Sequence, residues 1–328
     1  MNDLDLRWNR TDWLEEARTW VDARLADLGI ERDGELEQVH AYPWATVLRV
    51  PTASEPLFFK AMVPQLAHEA GALRILAAID PDLLTELVVA DADTGWMLMR
   101  DAGAPIRTHA EEPYGDWERI VARYADLQIR AAHGVDDLLS AGVPDRRTPT
   151  LVPLLADVLE DDAAVWKGRE LGLTEEERAR LRDDALPRLA DLCADLSALP
   201  IADTIQHDDL HANNVFVREG HWRILDWGDA CVAHPFASLV VPIRSLAHRR
   251  NVEENAPELV RIRDAYLEPW TRLAPRAELL RALEVAWLIG YATRLLSWQH
   301  IVPHFDPPVR EEYSESVPRW FRMLLEKI

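Results

Sequence analysis

Cysteine, lysine and long apolar runs are all scarce in this chain of 328 residues. Its two cysteines, Cys193 and Cys231, are too few for a disulfide framework and have no metal-binding spacing, which favours a reducing compartment. The longest apolar runs, such as 236–243, are too short to cross a bilayer, and the first ten residues contain no apolar segment typical of a secretory signal. We therefore expect a soluble, cytoplasmic protein.

Positive charge is scarce as well, because 36 Lys and Arg face 57 Asp and Glu and give a net charge of −21. Nucleic acids and anionic membranes are bound by clustered positive charge, so we expect neither as a partner. The 48% hydrophobic and 28% charged content is that of a globular protein. An acidic surface would suit a cationic ligand, although solubility alone also explains such a charge. The composition is compatible with a monomer or a homodimer.

The hydrophobic pattern changes near residue 103, which predicts two parts, 1–103 and 104–328. The first part should contain helices over 11–29 and around 66–77 and strands at 37–40, 46–50, 57–62, 87–90 and 96–99. The second should be mostly helical, with helices over 114–140, 150–165, 174–199 (broken at Pro187), 257–273, 277–300 and 308–327. Asp12 and Glu15 are placed to cap the first helix, and Thr174 with Glu177 is a capping-box signature. A β-rich part followed by a helical part implies a ligand cleft between them.

The richest polar segment runs from 207 to 228. Strands at 215–218 and 222–225, joined by a three-residue loop at 219–221, would place Asn214 opposite Asp226 with their Cβ atoms about 5 Å apart. An amide oxygen and a carboxylate suit a Mg²⁺ ion whose other ligands are substrate phosphates. Asp209, in the loop before Asn214, could lie beside that metal as a base.

The string H-x-D-x₄-N followed by D-x-G resembles the catalytic core of the protein-kinase-like fold. In detail, His207-Asp208-Asp209-Leu210-His211-Ala212-Asn213-Asn214 is similar to the H-G-D-L-H-x-x-N of the aminoglycoside phosphotransferase and choline-kinase-like family. The resemblance covers residues 35–300. It implies an α+β, bilobal fold with a small β-rich N-lobe (1–103) that binds nucleotide and a larger helical C-lobe (104–328). It also implies a small-molecule kinase that uses ATP or GTP and Mg²⁺.

The resemblance assigns roles to residues of this segment. Asp209 would be the catalytic base, Asn214 and Asp226 would ligate Mg²⁺, and His207 would brace the loop. In the alternative interpretation, His207 and His211 are metal ligands of a hydrolase, which leaves Asn214 and Asp226 unexplained.

Lys60 is an independent signal, because it lies inside a predicted strand of a chain that has one Lys for every 11 Arg. The family would use this Lys to hold the α- and β-phosphates, paired with a helix glutamate, for which Glu69 is the candidate. Segment 97–103 resembles the strand and linker whose backbone reads adenine, and Arg100 and Ala102 are the candidates there. For Lys60 and Glu69, the structural alternative is a strand Lys whose charge reaches solvent and a solvated helix Glu. For segment 97–103, the alternative is that Met97 and Met99 are simply core residues.

Three positions depart from the family pattern. Segment 40–46, where a phosphate-covering loop is expected, contains no glycine. Asp208 stands where the family usually has Gly, and Ser238 stands where it usually has Asp in P-x-x-D-L.

The acceptor is expected to be a small hydroxylated molecule, since only a dozen residues separate Asp226 from the next helix and no A-P-E follows. Acidic side chains of the helical lobe would suit a cationic acceptor such as an amino sugar, an aminocyclitol or a quaternary amine. Two alternatives stay open: a sugar or metabolite kinase unrelated to antibiotic resistance, and a nucleotide-binding pseudokinase. Lys60, Asp209, Asn214 and Asp226 together argue against the pseudokinase.

Overall fold

The structure, a computed structural model, describes residues 6–91, 93–108 and 114–328. It divides into two compact units. The first unit contains the described residues up to Ala104 together with Val217–Gly228, and the second contains the described residues of 105–216 and Asp229–Ile328. The division at Ala104 lies next to the predicted boundary, but Val217–Gly228 belongs to the first unit although the sequence places it in the second part. In the described ranges, no helix is long and apolar enough to cross a membrane.

In the described ranges, the two units contain ten strands and twelve α-helices. The strands are β1 (Glu37–Ala41), β2 (Ala45–Val50), β3 (Leu57–Met62), β4 (Leu87–Ala90), β5 (Met97–Arg100), β6 (Ala104–Pro105), β7 (Thr204–Gln206), β8 (Val215–Arg218), β9 (His221–Ile224) and β10 (Cys231–Ala233). The helices are α1 (Thr11–Asp27), α2 (Glu69–Ile79), α3 (Tyr114–Ala131), α4 (Val135–Ser140), α5 (Thr148–Glu160), α6 (Glu175–Arg180), α7 (Leu186–Leu196), α8 (Val240–Arg250), α9 (Pro257–Leu267), α10 (Arg276–Ile301), α11 (Pro307–Glu312) and α12 (Ser316–Lys327). The predicted α+β class is confirmed.

The first unit is built on an antiparallel five-stranded sheet in the order β1-β2-β3-β5-β4. The central strand β3 pairs Lys60 with Val47 of β2 on one side and with Met97 of β5 on the other. Because side chains alternate along a strand, Phe59 and Lys60 point to opposite faces of this sheet. The sheet therefore separates an aromatic core from a polar site.

Aromatic rings fill the core on the Phe59 face. The Phe59 ring lies 5.3 Å from that of Trp96 at 90° and 5.5 Å from that of Trp20. Trp13 lies 6.0 Å from Trp96, in an edge-on arrangement. Such edge-to-face pairs stabilise a core beyond the area that they bury. They attach α1, which carries Trp13 and Trp20, to the sheet.

In the first unit, the cap of α1 and the turn between β8 and β9 differ from what the sequence predicts. The N-cap of α1 is Arg10, without a side-chain cap, and Asp12 instead pairs with Arg10 and accepts the neighbouring Trp13 N–H at 3.0 Å. The hairpin of β8 and β9 has a two-residue turn, not the predicted three-residue loop. Its residues, Glu219 and Gly220, have φ of 54° and 79°, the left-handed backbone of a tight hairpin turn. The predicted register, which pairs Asn214 with Asp226 across the hairpin, required a three-residue loop and is therefore not adopted.

In the second unit, α10 is the central helix and packs against α5, α8 and α12, while α3 packs against α9. Gly290 allows α10 to approach the segment before α8, since a Cβ there would lie 2.9 Å from the carbonyl oxygen of Ala237. The predicted capping box at Thr174 is present. The helix is not broken at the predicted Pro187. A π-helical turn over Leu181–Ala185 joins α6 to α7, and Pro187 lies in the first turn of α7.

Both cysteines lie in the second unit and are buried, with 4% of Cys193 and 0% of Cys231 exposed. Burial raises the pKa of the Cys193 thiol to about 12 and also raises that of Cys231. The thiolate is the reactive form of cysteine, so neither side chain is a nucleophile near neutral pH.

Candidate active site

Lys60, Glu69 and Asp226 form one cluster in the first unit. The Lys60 Nζ donates to Glu69 Oε1 and Oε2 at 2.8 and 2.7 Å and to Asp226 Oδ1 at 2.6 Å. Lys60 is 5% exposed and Glu69 is 1% exposed, whereas 48% of the Asp226 side chain is exposed. The cluster is thus a buried cation between one buried carboxylate and one that faces outward.

Local structure brings these groups together. Strand alternation turns Lys60 away from Phe59, and Glu69 is the first residue of α2, so one short connection joins the two partners. Burial disfavours the Lys60 charge, but the carboxylates of Asp226 and Glu69 more than offset this and raise the pKa of Lys60 above its usual value. Lys60 therefore stays protonated.

Asp226 is held by the backbone that follows β9. Its φ of 65° is left-handed, a conformation that Asp tolerates better than most residues. The next residue, Trp227, donates its backbone N–H to Glu69 Oε1 at 3.2 Å and its indole N–H to the Ile224 carbonyl at 3.1 Å. The turn is thus tied to α2 on one side and to β9 on the other.

The expected phosphate-covering loop is a tight turn between β1 and β2. The Tyr42 N–H donates to the Ala45 carbonyl at 2.8 Å, and the Trp8 indole N–H donates to the Tyr42 carbonyl at 2.7 Å. The Tyr42 and Trp44 rings stack at 5.3 Å with an interplanar angle of 5° on either side of Pro43. A proline and an aromatic stack thus stiffen the turn at the place where glycines are expected.

Of the two adenine candidates, Arg100 is partly committed to the protein. Its backbone N–H donates to the Glu86 carbonyl at 2.9 Å, and its carbonyl accepts the Thr85 hydroxyl at 3.2 Å. The Arg100 backbone N–H is therefore used within the first unit, and its carbonyl keeps a second lone pair as an acceptor. Ala102 lies beyond the end of β5, in the linker to β6.

The second unit contains the loop that follows β7. The backbone N–H of His207 donates to the Tyr124 hydroxyl at 2.9 Å, and the His207 Nδ1 accepts the Asp209 N–H at 3.3 Å. Asn214 donates through Nδ2 to the Asp209 carbonyl at 2.9 Å, and its own N–H donates to the His211 carbonyl at 2.9 Å. The predicted brace, base and amide thus lie on one hydrogen-bonded loop.

Asp209 has the electrostatics of a base that stays ionised. Its carboxylate lies 3.6 Å from an Arg294 nitrogen and 3.4 Å from the His211 Nε2, and 26% of the side chain is exposed. Burial alone would raise the pKa of Asp209, but the Arg294 charge and the His211 contact lower it below its usual value. The charged carboxylate is therefore partly accessible.

Asn214 and Asp226 have donor atoms that fit Mg²⁺. The amide nitrogen of Asn214 is tied to Asp209, which leaves the Asn214 amide oxygen as the atom for a metal. Asp226 provides a half-exposed carboxylate. Oxygen donors of this kind, few in number, are typical of Mg²⁺ sites that are completed by phosphates.

Asp208, which stands where the family usually has Gly, has a φ of 61°. The position thus needs a left-handed backbone, and Asp is among the few residues that adopt it. Its buried carboxylate accepts hydrogen bonds from Thr293 at 2.8 Å, Ser297 at 2.6 Å and Gln206 at 2.6 Å, and it lies 3.5 Å from Arg146. Burial raises its pKa to about 6, against the opposing charges of the two nearby arginines. This Asp anchors the loop to α10.

Sequence reasoning missed Arg146, Arg294 and Tyr124, because no local pattern singles them out among 33 arginines and the core aromatics. It did single out Ser238, whose hydroxyl lies 3.1 Å from the Tyr124 hydroxyl. Since Tyr124 accepts the N–H of His207, the departure at Ser238 belongs to the support of the loop.

The hydrolase alternative finds no support in these contacts. His207 and His211 each use Nδ1 to accept a backbone N–H within the loop, at 3.3 Å in both cases. In the part of the chain that the structure describes, no group of three His, Cys, Asp or Glu side chains could hold a metal ion.

Comparisons with known proteins identify the family and the fold. A sequence profile of the family described as "Phosphotransferase enzyme family" matches residues 45–277. No curated protein sequence matches the chain. Among solved structures, a "Macrolide 2'-phosphotransferase type I" shares 14% identity over 96% of this chain and 97% of its own, with a TM-score of 0.56. A choline kinase from Cryptosporidium parvum Iowa II shares 14% identity over 89% of this chain and 88% of its own, with a TM-score of 0.60.

A third similar structure is the aminoglycoside phosphotransferase APH(4)-Ia in a ternary complex with AMP-PNP and hygromycin B. It shares 14% identity over 94% of this chain and 98% of its own, with a TM-score of 0.56. At such identities the likeness establishes the fold, and the predicted kinase-like fold is confirmed.

Proposed function

The chain belongs to the phosphotransferase enzyme family, and from this premise we propose that it transfers the γ-phosphoryl group of ATP or GTP to a hydroxyl of a small cationic molecule. The observation that carries the proposal is Asp209, a carboxylate kept ionised by Arg294 and His211 yet 26% exposed. A base must combine charge with access to the proton that it takes.

In the proposed reaction, Asp209 orients the acceptor hydroxyl and takes its proton. The acceptor oxygen forms a bond to the γ-phosphorus while the bond between that phosphorus and the bridging oxygen breaks, and the nucleoside diphosphate leaves with the bonding electrons. Little covalent chemistry is required of the protein, so positioning and charge stabilisation provide most of the rate.

On the nucleotide side, Lys60 would hold the α- and β-phosphates and Glu69 would fix the direction of Nζ. Asp226 is the half-exposed partner of Lys60, so it is the one that phosphate oxygens can replace. Asn214 and Asp226 would hold Mg²⁺, which when bound neutralises charge on the phosphates. The Ala102 backbone, with the Arg100 carbonyl, would contact the base of the nucleotide.

The acceptor is proposed to carry positive charge because the chain has a net charge of −21. Solved relatives are named for a macrolide phosphotransferase and a choline kinase, so the shared fold accommodates different acceptors. The candidates for the acceptor are therefore amine-bearing alcohols on one side and neutral sugars or metabolites on the other.

A screen of hydroxylated amines, aminoglycosides, macrolides and neutral sugars, measured as nucleoside diphosphate release, tests this function. Asp209→Asn is the control at each acceptor. We expect at least one amine-bearing alcohol to accelerate release in the wild type and not in the variant. Acceleration only by neutral sugars would overturn the cationic acceptor. Nucleotide binding without turnover on any acceptor would overturn the kinase and favour a pseudokinase.

A further inference from the structure

Arg294 of α10 lies where three separate parts of the second unit meet. Its Nη1 donates to the Asp208 carbonyl at 2.9 Å and to Asp229 Oδ2 at 2.9 Å, and its Nη2 lies 3.6 Å from Asp209 Oδ1. Only 7% of Arg294 is exposed. A single guanidinium therefore lies next to three groups: the Asp208 carbonyl just before Asp209, the carboxylate of Asp209 and the carboxylate of Asp229.

The surrounding residues fix the place of this guanidinium. Thr293 and Ser297, on the same face of α10, donate to the Asp208 carboxylate at 2.8 and 2.6 Å. The Arg146 Nη1 donates to the Thr293 carbonyl at 2.9 Å and to the Ser297 hydroxyl at 2.6 Å. The helix and the loop are thus joined by buried hydrogen bonds beside Arg294, which limits the rotamers that it can adopt.

One oxygen of the Asp209 carboxylate lies within ion-pair distance of Arg294, while other groups contact the second oxygen. Oδ1 faces Arg294, whereas Oδ2 lies 3.4 Å from the Asn214 Nδ2 and 3.4 Å from the His211 Nε2. Without Arg294 the carboxylate would keep only the contacts of Oδ2 and would be free to rotate about them.

We propose that Arg294 is a positioning residue of this enzyme: its contacts with the Asp208 carbonyl, the Asp229 carboxylate and the Asp209 carboxylate fix the orientation of Asp209. The inference rests on the proposed function, in which Asp209 is the base. Lysine cannot replace arginine in this role, because a single ammonium does not present the planar fork that reaches all three partners. Effective proton transfer depends on geometry to within fractions of an ångström, so a small loss of order lowers turnover.

The experiment compares Arg294→Lys with Arg276→Lys, a matched control on the same helix whose guanidinium pairs with Asp264 at the surface. We expect Arg294→Lys to lower kcat by about 10- to 100-fold, the effect of a misplaced base, with the KM for nucleotide unchanged. Arg276→Lys should leave both constants unchanged.

The double variant provides the second test, which tolerates some loss of stability. If Arg294 acts through Asp209, Arg294→Lys should reduce the residual turnover of Asp209→Asn no further. An additional loss in the Asp209→Asn background, equal to that in the wild type, would show a merely structural role. Wild-type turnover of Asp209→Asn itself would instead refute the proposed function, so the two failures are distinguishable.

Discussion

The two units each contain a buried ionic cluster, and the clusters differ in which member is exposed. In the first unit, Lys60 and Glu69 are buried and the Asp226 carboxylate is half exposed. In the second unit, the Asp208 side chain is fully buried and bonded to groups of α10 that follow it by 85 to 89 residues. Buried ionic groups contribute little net stability unless fully satisfied. In the first cluster a ligand can thus replace Asp226 as a partner of Lys60, whereas the second cluster only holds the loop to α10.

The largest expected effect lies beside the second cluster, at Asp209. Asp209→Asn keeps the shape but removes the charge that accepts the proton, so kcat should fall about 10²- to 10⁴-fold. Nucleotide affinity, measured by calorimetry, should be nearly unchanged. Asp208→Gly is the comparison: glycine keeps the left-handed backbone, but the buried hydrogen bonds to α10 are lost, so we expect lower stability and a smaller loss of kcat than in Asp209→Asn. Loss of activity only in the Asp208 variant would show that the two roles are reversed.

The buried carboxylate of Asp208 should make the stability of the protein depend on pH. Burial raises the pKa of Asp208 in the folded protein to about 6, from an ordinary value of 3.8. As pH rises from about 3 to about 7, the unfolded chain loses this proton before the folded protein does. The free energy of unfolding should therefore fall by about 3 kcal/mol from this group. Urea unfolding of the wild type and Asp208→Asn over this range measures it, and equal slopes would contradict a raised pKa.

The first cluster should respond in nucleotide use. Lys60→Ala removes a charged hydrogen-bond donor, worth about 1.5–3 kcal/mol, so kcat/KM for nucleotide should fall about 10- to 100-fold. Lys167→Ala is the matched control, because that lysine pairs with acidic side chains at the surface. Lys60→Arg should not restore the wild-type value, since its fork is larger and planar. An unchanged kcat/KM in Lys60→Ala would show that the first cluster does not bind nucleotide.

Glu69→Gln should have the smallest effect. The Lys60 ammonium keeps Asp226 as a partner at 2.6 Å, so the variant loses orientation rather than charge at Nζ. We expect a decrease in kcat/KM for nucleotide smaller than that of Lys60→Ala. A larger decrease would mean that Glu69 is a direct ligand of the nucleotide site.

The Lys60–Glu69 pair of the first cluster could be predicted because its elements are local, whereas the contact with Asp226, 166 positions from Lys60, could not. Strand β3 was predicted to the residue, and Lys60 and Glu69 are only nine positions apart. The hairpin loop was predicted one residue too long, since nothing in Glu219 indicates a left-handed backbone. Arg294 could not be predicted, because its partners in the loop are brought to α10 by packing, and the sequence contains 33 arginines.

The two inaccessible thiols of Cys193 and Cys231 make the natural chain a ready host for site-specific labelling. Maleimide reagents react with thiolate, and burial holds both native cysteines in the thiol form. A cysteine introduced on the exposed surface of each unit would therefore be the only reactive pair. Dyes attached to such a pair would report on ligand binding by energy transfer, without reaction at the native cysteines.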